Sequence, residues 1–216
     1  MNQFFCRLCG SSKNKNHLEL KNFPKAAQHF LNSIEEKNND IPVQLDVSEC
    51  KSCGLIQLKN EPVSYYKDVI TAASLSKASK DKLIKEWMPL IKKYKLKKTD
   101  AIEVGSCRGD FLEVLSELGF EVQGIENSAE SCNISSSKGF NTIHGYLEDI
   151  ASKLKNKFSL VVCNNFLEHQ PRTSNFIQGF NEILNESGIL YVSVPNLTYL
   201  TNKSCLYEFV SDHLVY

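Results

Sequence analysis

From residue 100 onward, short apolar runs alternate with amphipathic stretches. The runs Ala101–Val104, Glu121–Glu126, Thr142–His144, Ser159–Cys163 and Ile189–Val194 read as strands. Between them, Asp110–Leu118, Ser128–Lys138, Glu148–Leu154 and Asn175–Leu184 carry helical spacing. Gly119 and Gly139 stop the first two helices, and Asn185–Gly188 reads as a turn before the last strand. Leu160-Val161-Val162 is apolar throughout, as a parallel strand covered on both faces must be. Such an alternation implies an α/β fold, a Rossmann-like doubly wound parallel sheet. Further upstream, Leu83, Ile84, Trp87, Leu90 and Ile91 fall on one helical face, with Pro89 expected to kink or split that helix. Residues 1–60 hold two cysteine pairs around a polar middle that includes Glu35-Glu36-Lys37-Asn38-Asn39-Asp40. The expected organisation is a small N-terminal domain over 1–60, a helical linker over 61–98 and the sheet domain over 99–216.

Composition narrows the class. The chain has 216 residues, and its 25 Lys+Arg balance 25 Asp+Glu. That length is ample for a buried core, and 42% hydrophobic with 23% charged residues excludes global disorder. Without net positive charge, the electrostatic footprint of a nucleic-acid binder is missing. The Lys92, Lys93, Lys95, Lys97, Lys98 run reads as a solvated helix face. No run approaches the roughly 18 apolar residues of a membrane span. The start, Met1-Asn2-Gln3-Phe4-Phe5-Cys6, lacks the basic and apolar regions of a signal peptide, so a cytoplasmic protein is expected.

Eight cysteines sharpen this picture. Cys107, Cys132, Cys163 and Cys205 are scattered and read as small buried hydrophobes. Cys6, Cys9, Cys50 and Cys53 instead form two Cys-x-x-Cys-Gly knuckles. A two-residue spacer turns both thiolates toward one ion, and the following Gly closes the turn. Four soft ligands suit tetrahedral Zn²⁺ and leave no open position for catalysis. The 40 residues between Cys9 and Cys50 imply a small subdomain rather than one hairpin. His17 and His29, within that loop, read as surface or packing residues.

Candidate chemistry follows the first strand. Glu103-Val104-Gly105-Ser106-Cys107-Arg108-Gly109-Asp110 leads from strand to helix, and Glu126 ends the next strand, 23 residues after Glu103. Gly105 permits a sharp turn, Gly109 a close approach, and Glu126 can take both hydroxyls of a ribose. The middle glycine of a dinucleotide site is absent, and Glu103 would repel a phosphate. An acidic residue there suits a ligand with an ammonium and a sulfonium, which is S-adenosylmethionine. These motifs, with Gly124-Ile125-Glu126-Asn127 and Asn164-Asn165-Phe166-Leu167-Glu168-His169, resemble a class I S-adenosylmethionine-dependent methyltransferase. The knuckles in front make the chain similar to the subgroup with an N-terminal zinc-binding domain, which includes C-methyltransferases of nucleotide-linked deoxysugars. Its opening motifs stand here as Cys6–Gly10 and Cys50–Leu58. Two departures concern the substrate class. Cys107-Arg108 stands where sugar-modifying relatives carry Asn-Asp, and their Glu-His-x-x-Tyr appears as Asp212-His213-Leu214-Val215-Tyr216.

The resemblance implies roles. Glu103, Gly105, Ser106 and Gly109 would cradle the methionine portion of the cofactor; Glu126 would hold the ribose, with Asn127 beside the adenine. Asn164 would face cofactor and substrate, and Leu147-Glu148 would border the adenine. His213 would be the base for a carbon acceptor, and His169 would orient substrate; His144 reads as a core or strand-edge residue. The expected function is methyl transfer to a small-molecule substrate, with C-methylation of a nucleotide-linked sugar as the finer reading. A non-catalytic zinc module with a partial cofactor domain, acting as a scaffold, is the alternative. An RNA substrate is disfavoured by the zero net charge. A full class I sheet has seven strands against the five counted here. The C-terminal strands are therefore expected to be missing, the chain to be a truncated product, and the edge after Val194 to be bare.

Overall fold

The computed structural model describes residues 3–25, 30–67 and 74–216. Its contacts divide the chain into two compact units, drawn differently from the three expected zones. One unit gathers Met1–Ile70, Leu167–Ser174 and Val194–Tyr216, and the other gathers Thr71–Phe166 and Asn175–Ser193. The last residues thus fold with the first ones, not with the sheet domain to which they were assigned. Residue 29, with its His29, lies outside the described residues.

The first unit, called here the cysteine unit, is built on an antiparallel sheet. Strand β1 (Asn14–Phe23) pairs with β2 (Val43–Cys50), with Asn14 opposite Cys50 and Phe23 opposite Val43. Between them lies the short helix α1 (Ile34–Asn38), started by Ser33, whose side chain accepts the Glu36 N–H. Strand β3 (Ile56–Leu58) adds to the other edge of β2.

The second unit opens with α2 (Lys77–Tyr94), capped by Ser76 and continuous through Pro89, so the expected split does not occur. Proline removes one intrahelical bond. The buried Trp87, with its ring 5.5 Å from Phe111 and 4.8 Å from Tyr191, anchors the helix beside it. The chain then alternates β4 (Ala101–Val104), α3 (Asp110–Glu117), β5 (Val122–Glu126), α4 (Ala129–Ser137), β6 (Asn141–His144) and α5 (Leu147–Ile150). It continues through β7 (Phe158–Asn164), α6 (Thr173–Ile183) and β8 (Leu184–Ser193). Every pair is parallel, in the order β6-β5-β4-β7-β8. This is the expected doubly wound sheet. The predicted turn at Asn185–Gly188 lies inside β8, as an irregularity where the pairing steps from Leu184 opposite Phe158 to Ile189 opposite Leu160. The chain reverses its order of addition around β4, and in such sheets ligands bind beyond the carboxyl ends of the strands at that point.

Among the described residues, nothing after Ser193 adds a strand to this sheet. Instead, α7 (Leu197–Asn202) and the final turns return to the cysteine unit. Leu200, Phe209 and Leu214 complete a core with Leu45, Val47 and Leu58. The Leu58 N–H donates to Leu214 O at 2.9 Å and the Tyr216 N–H to Ile56 O at 3.0 Å, so the tail runs along β3. No helix among the described residues is long and apolar enough to cross a membrane.

Candidate cofactor and proton-handling sites

The seven residues expected at the cofactor lie at the carboxyl ends of β4, β5 and β7 in the sheet unit. Gly105 takes φ +77°, and a Cβ there would sit 2.9 Å from Phe166 Cγ. Its N–H and that of Ser106 both donate to Ile125 O, at 2.9 and 3.1 Å. Gly109, at φ +78°, opens α3, and a Cβ there would meet Ser135 Oγ at 2.7 Å. Both glycines are therefore fixed by backbone conformation and by close approach. Ser106 Oγ is buried without a partner, in space left by Gly124.

Glu103 is sealed into β4. One carboxylate oxygen accepts from Asn164 Nδ2 at 3.1 Å, and the other has no partner. Burial pushes its carboxyl up to about 8; the Asn164 bond opposes this, and the charges of Glu126 and Asp110 reinforce it. Glu126 accepts the Cys107 N–H at 2.9 Å on one oxygen and the Ser128 N–H at 2.8 Å on the other. Its carboxylate is thus pinned beside the β4–α3 loop, where Cys107 itself takes φ +50°. Asn127 O bonds His144 Nε2 at 2.9 Å on edge strand β6. A small cavity is lined by Gly105, Asn127, Tyr146, Leu147 and Phe166, among others. Tyr146 escaped the sequence reading, and Phe166 stood in a quoted motif without a role of its own. The available signal was an aromatic residue just past the ends of β6 and β7.

The cysteine unit holds two further groups. Cys6 Sγ lies 3.7 Å from Cys53 Sγ, Cys9 Sγ lies 3.6 Å from Cys50 Sγ, and all four fall within 4.8 Å of one another. Sulfurs bound tetrahedrally at about 2.3 Å stand about 3.8 Å apart, so these separations match one shared ion. Gly10 and Gly54 follow at φ +70° and +80°, as the knuckle turns require. His17 is exposed and takes no part in the cluster. Arg7, inside the first knuckle, donates to the carbonyls of Leu58, Asn60 and Pro171, and its own carbonyl accepts the Ser174 N–H. The cysteine knuckle is therefore stitched to the segment that follows β7.

That segment carries His169, and the tail carries His213. Their rings stand 5.0 Å apart, so two residues 44 positions apart in the chain meet. His169 Nδ1 donates to Asp212 O at 2.9 Å, and His213 Nδ1 to Glu208 O at 3.0 Å. Burial, with His213 beside it, lowers His169 to about 4. Burial also lowers His213, against the Glu208 carbonyl and the charges of Glu208 and Asp212. Glu168 joins the pair, buried, and its role was not foreseen.

Comparison with known proteins bears on the family and the fold. The chain is similar to C-methyltransferase NovU of Streptomyces niveus, 23% identical over 98% of this chain and 52% of that protein. It is also similar to the ubiquinone biosynthesis O-methyltransferase of Glaesserella parasuis serovar 5 (strain SH0165), 27% identical over 45% of each. The chain spans about half the length of the curated relatives it matches. A crystal structure of a SAM-dependent methyltransferase from Archaeoglobus fulgidus shares the fold, with TM-score 0.52 and 20% identity over 62% of both chains. The family model described as a methyltransferase domain matches residues 75–211. Since that match takes in more than half of the chain, the chain belongs to the methyltransferase domain family.

Proposed function

We propose that this chain transfers a methyl group from S-adenosylmethionine to a small molecule in the cytoplasm. The observation that carries the reading is Glu103: a buried carboxyl at the end of the central strand with one oxygen unpartnered. A ligand ammonium would supply the missing partner and return the carboxyl to its charged form. When bound, the cofactor supplies an electrophilic methyl on sulfonium. Glu103, Gly105, Ser106 and Gly109 hold its methionine portion, Glu126 its ribose and Asn127 its adenine edge. Glu126 is suited to the ribose because each of its oxygens, already fixed by one backbone N–H, keeps a further lone pair. Asn164 joins Glu103 to the acceptor side. Alignment of donor and acceptor then accounts for much of the catalysis.

The acceptor in this reading is a carbon next to a carbonyl, on a nucleotide-linked sugar. Support comes from the likeness to a C-methyltransferase along nearly the whole chain. It also comes from His213, an imidazole that burial keeps neutral and so able to take a proton. His213 takes the proton and His169 orients the substrate. The four cysteines fit a structural Zn²⁺, which would fix the knuckles and, through Arg7, the segment bearing His169. Eight thiols with no disulfide suit a reducing compartment.

Calorimetry with S-adenosylhomocysteine tests the cofactor site. Glu126→Ala should lose about 1–3 kcal/mol of binding through two lost charge-assisted hydrogen bonds. Equal affinity in variant and parent would sink the ribose assignment.

A further inference from the structure

We infer that Glu168 is a catalytic residue as well, its protonated carboxyl donating the hydrogen bond that holds the acceptor's carbonyl oxygen while the adjacent carbon loses its proton. This rests on the proposed C-methylation and adds the group that the imidazole pair lacks.

Glu168 sits in the 3-10 turn Leu167–His169 that follows β7, and its backbone is clamped. Its carbonyl accepts the Leu214 N–H at 2.6 Å, and Arg7 holds Pro171 three residues on. The side chain is 1% exposed, beside His169 at 2% and His213 at 5%. Glu168 Oε2 has no hydrogen-bond partner. A buried oxygen left that way costs about 1–3 kcal/mol and asks for a reason. One reactive atom from each of the three residues lies within 4.8 Å of the others.

Both imidazoles give their Nδ1–H to backbone carbonyls, so a neutral His213 carries its lone pair at Nε2. An ionised Glu168 would bury a charge within 4.8 Å of two neutral imidazoles while its Oε2 has no hydrogen-bond partner. A proton on the carboxyl removes that charge and gives Oε2 a hydrogen to donate. Burial raises Glu168 to about 8, its own backbone N–H opposing and the Glu208 charge assisting, while both histidines are pushed down. The proton therefore rests on the carboxyl, and the imidazoles stay neutral. One environment thus sets apart a base and a donor, the two roles that enolate formation needs.

The step balances. His213 Nε2 takes the proton, and the C–H electron pair moves into the carbon–carbon double bond of the enolate. The charge gathering on its oxygen meets the Glu168 O–H, which is not transferred. The bound cofactor would supply the methyl group to the enolate carbon, its sulfonium sulfur keeping the electron pair of the broken bond and leaving as a neutral thioether; the imidazolium returns its proton to water. Tyr216 offers another hydroxyl, its ring 6.4 Å from that of His213, but it packs against Phe209 at 5.3 Å within the apolar core.

The test follows solvent deuterium exchange at the acceptor carbon of a nucleotide-linked keto sugar, with S-adenosylhomocysteine bound. Glu168→Gln keeps an N–H donor but cannot ionise. It should retain exchange and abolish the parent's alkaline decline near pH 8. Glu168→Leu should lose about a hundredfold, as removal of an oxyanion donor does. Tyr216→Phe should exchange like the parent, and calorimetry should give the same S-adenosylhomocysteine affinity for all. Parent-like exchange in Glu168→Leu overturns the inference. So does a Gln variant as inactive as Leu, which would mark the carboxylate itself as base or cation ligand; stimulation of the parent by added Mn²⁺ separates those two. If Glu168→Leu does not fold, the Gln pH profile decides. A parent that binds the cofactor product yet exchanges no proton overturns the C-methylation reading, and the inference with it.

Discussion

Glu103 shows what one residue costs the fold. An unfolded chain releases a glutamate proton near 4.5, whereas the folded chain keeps it up to about 8. Between those values the unfolded state binds fewer protons, so stability falls as pH rises through the window. Glu103→Gln removes the titration. It should raise stability at pH 8 relative to pH 5 by on the order of 3 kcal/mol, while weakening S-adenosylmethionine binding. Urea melts at the two pH values check this, and an equal effect at both would refute it. Glu103 was legible because an acid inside the apolar run Ala101–Val104 stands out in the sequence. Glu168 was not. It follows Phe166-Leu167 as an ordinary polar turn residue, and only the tail's return places it beside His213.

Legibility at the level of elements followed burial. Strands β4, β5 and β7 announce themselves as short runs dominated by buried apolar residues, such as Ile102, Val104, Ile125 and Leu160-Val161-Val162. Strands β1 and β2 escaped notice: Leu18, Leu20, Leu45 and Val47 alternate with Asn, Lys, Glu and Asp, and only one face is packed. Pro89 misled for a related reason, since the lost bond is local whereas the burial of Trp87 is tertiary. The two knuckles were legible as spacing, and β2 explains how they meet. Its last residue, Cys50, pairs with Asn14, bringing the second knuckle to the first. Cys50→Ser should therefore abolish stoichiometric zinc and loosen the β1–β2 hairpin. Metal analysis together with amide hydrogen exchange along Asn14–Phe23 reads both, and unchanged zinc would reject the four-sulfur site.

For the whole molecule, nothing in the residue pattern tied the tail to the cysteine unit, because its core partners lie some 150 residues earlier. Leu214 is 1% exposed in that shared core. Leu214→Ala should cost about 2–5 kcal/mol. The loss should appear as faster exchange in β2 and β3 and reduced zinc retention, with the amides of β4 to β7 unaffected. Equal loosening of both units would contradict the division described here.

The interleaving of the two units bears on inheritance. The chain enters the cysteine unit three times, at its head, after β7 and at its tail. A single crossover that replaced the first sixty codons with those of a relative would bring a foreign hairpin to a native tail. Leu45, Val47 and Leu58 would then face a Leu200, Phe209 and Leu214 selected beside other partners. Viable recombinants should carry both ends from one parent, while the stretch between α2 and α5 can be exchanged as a block.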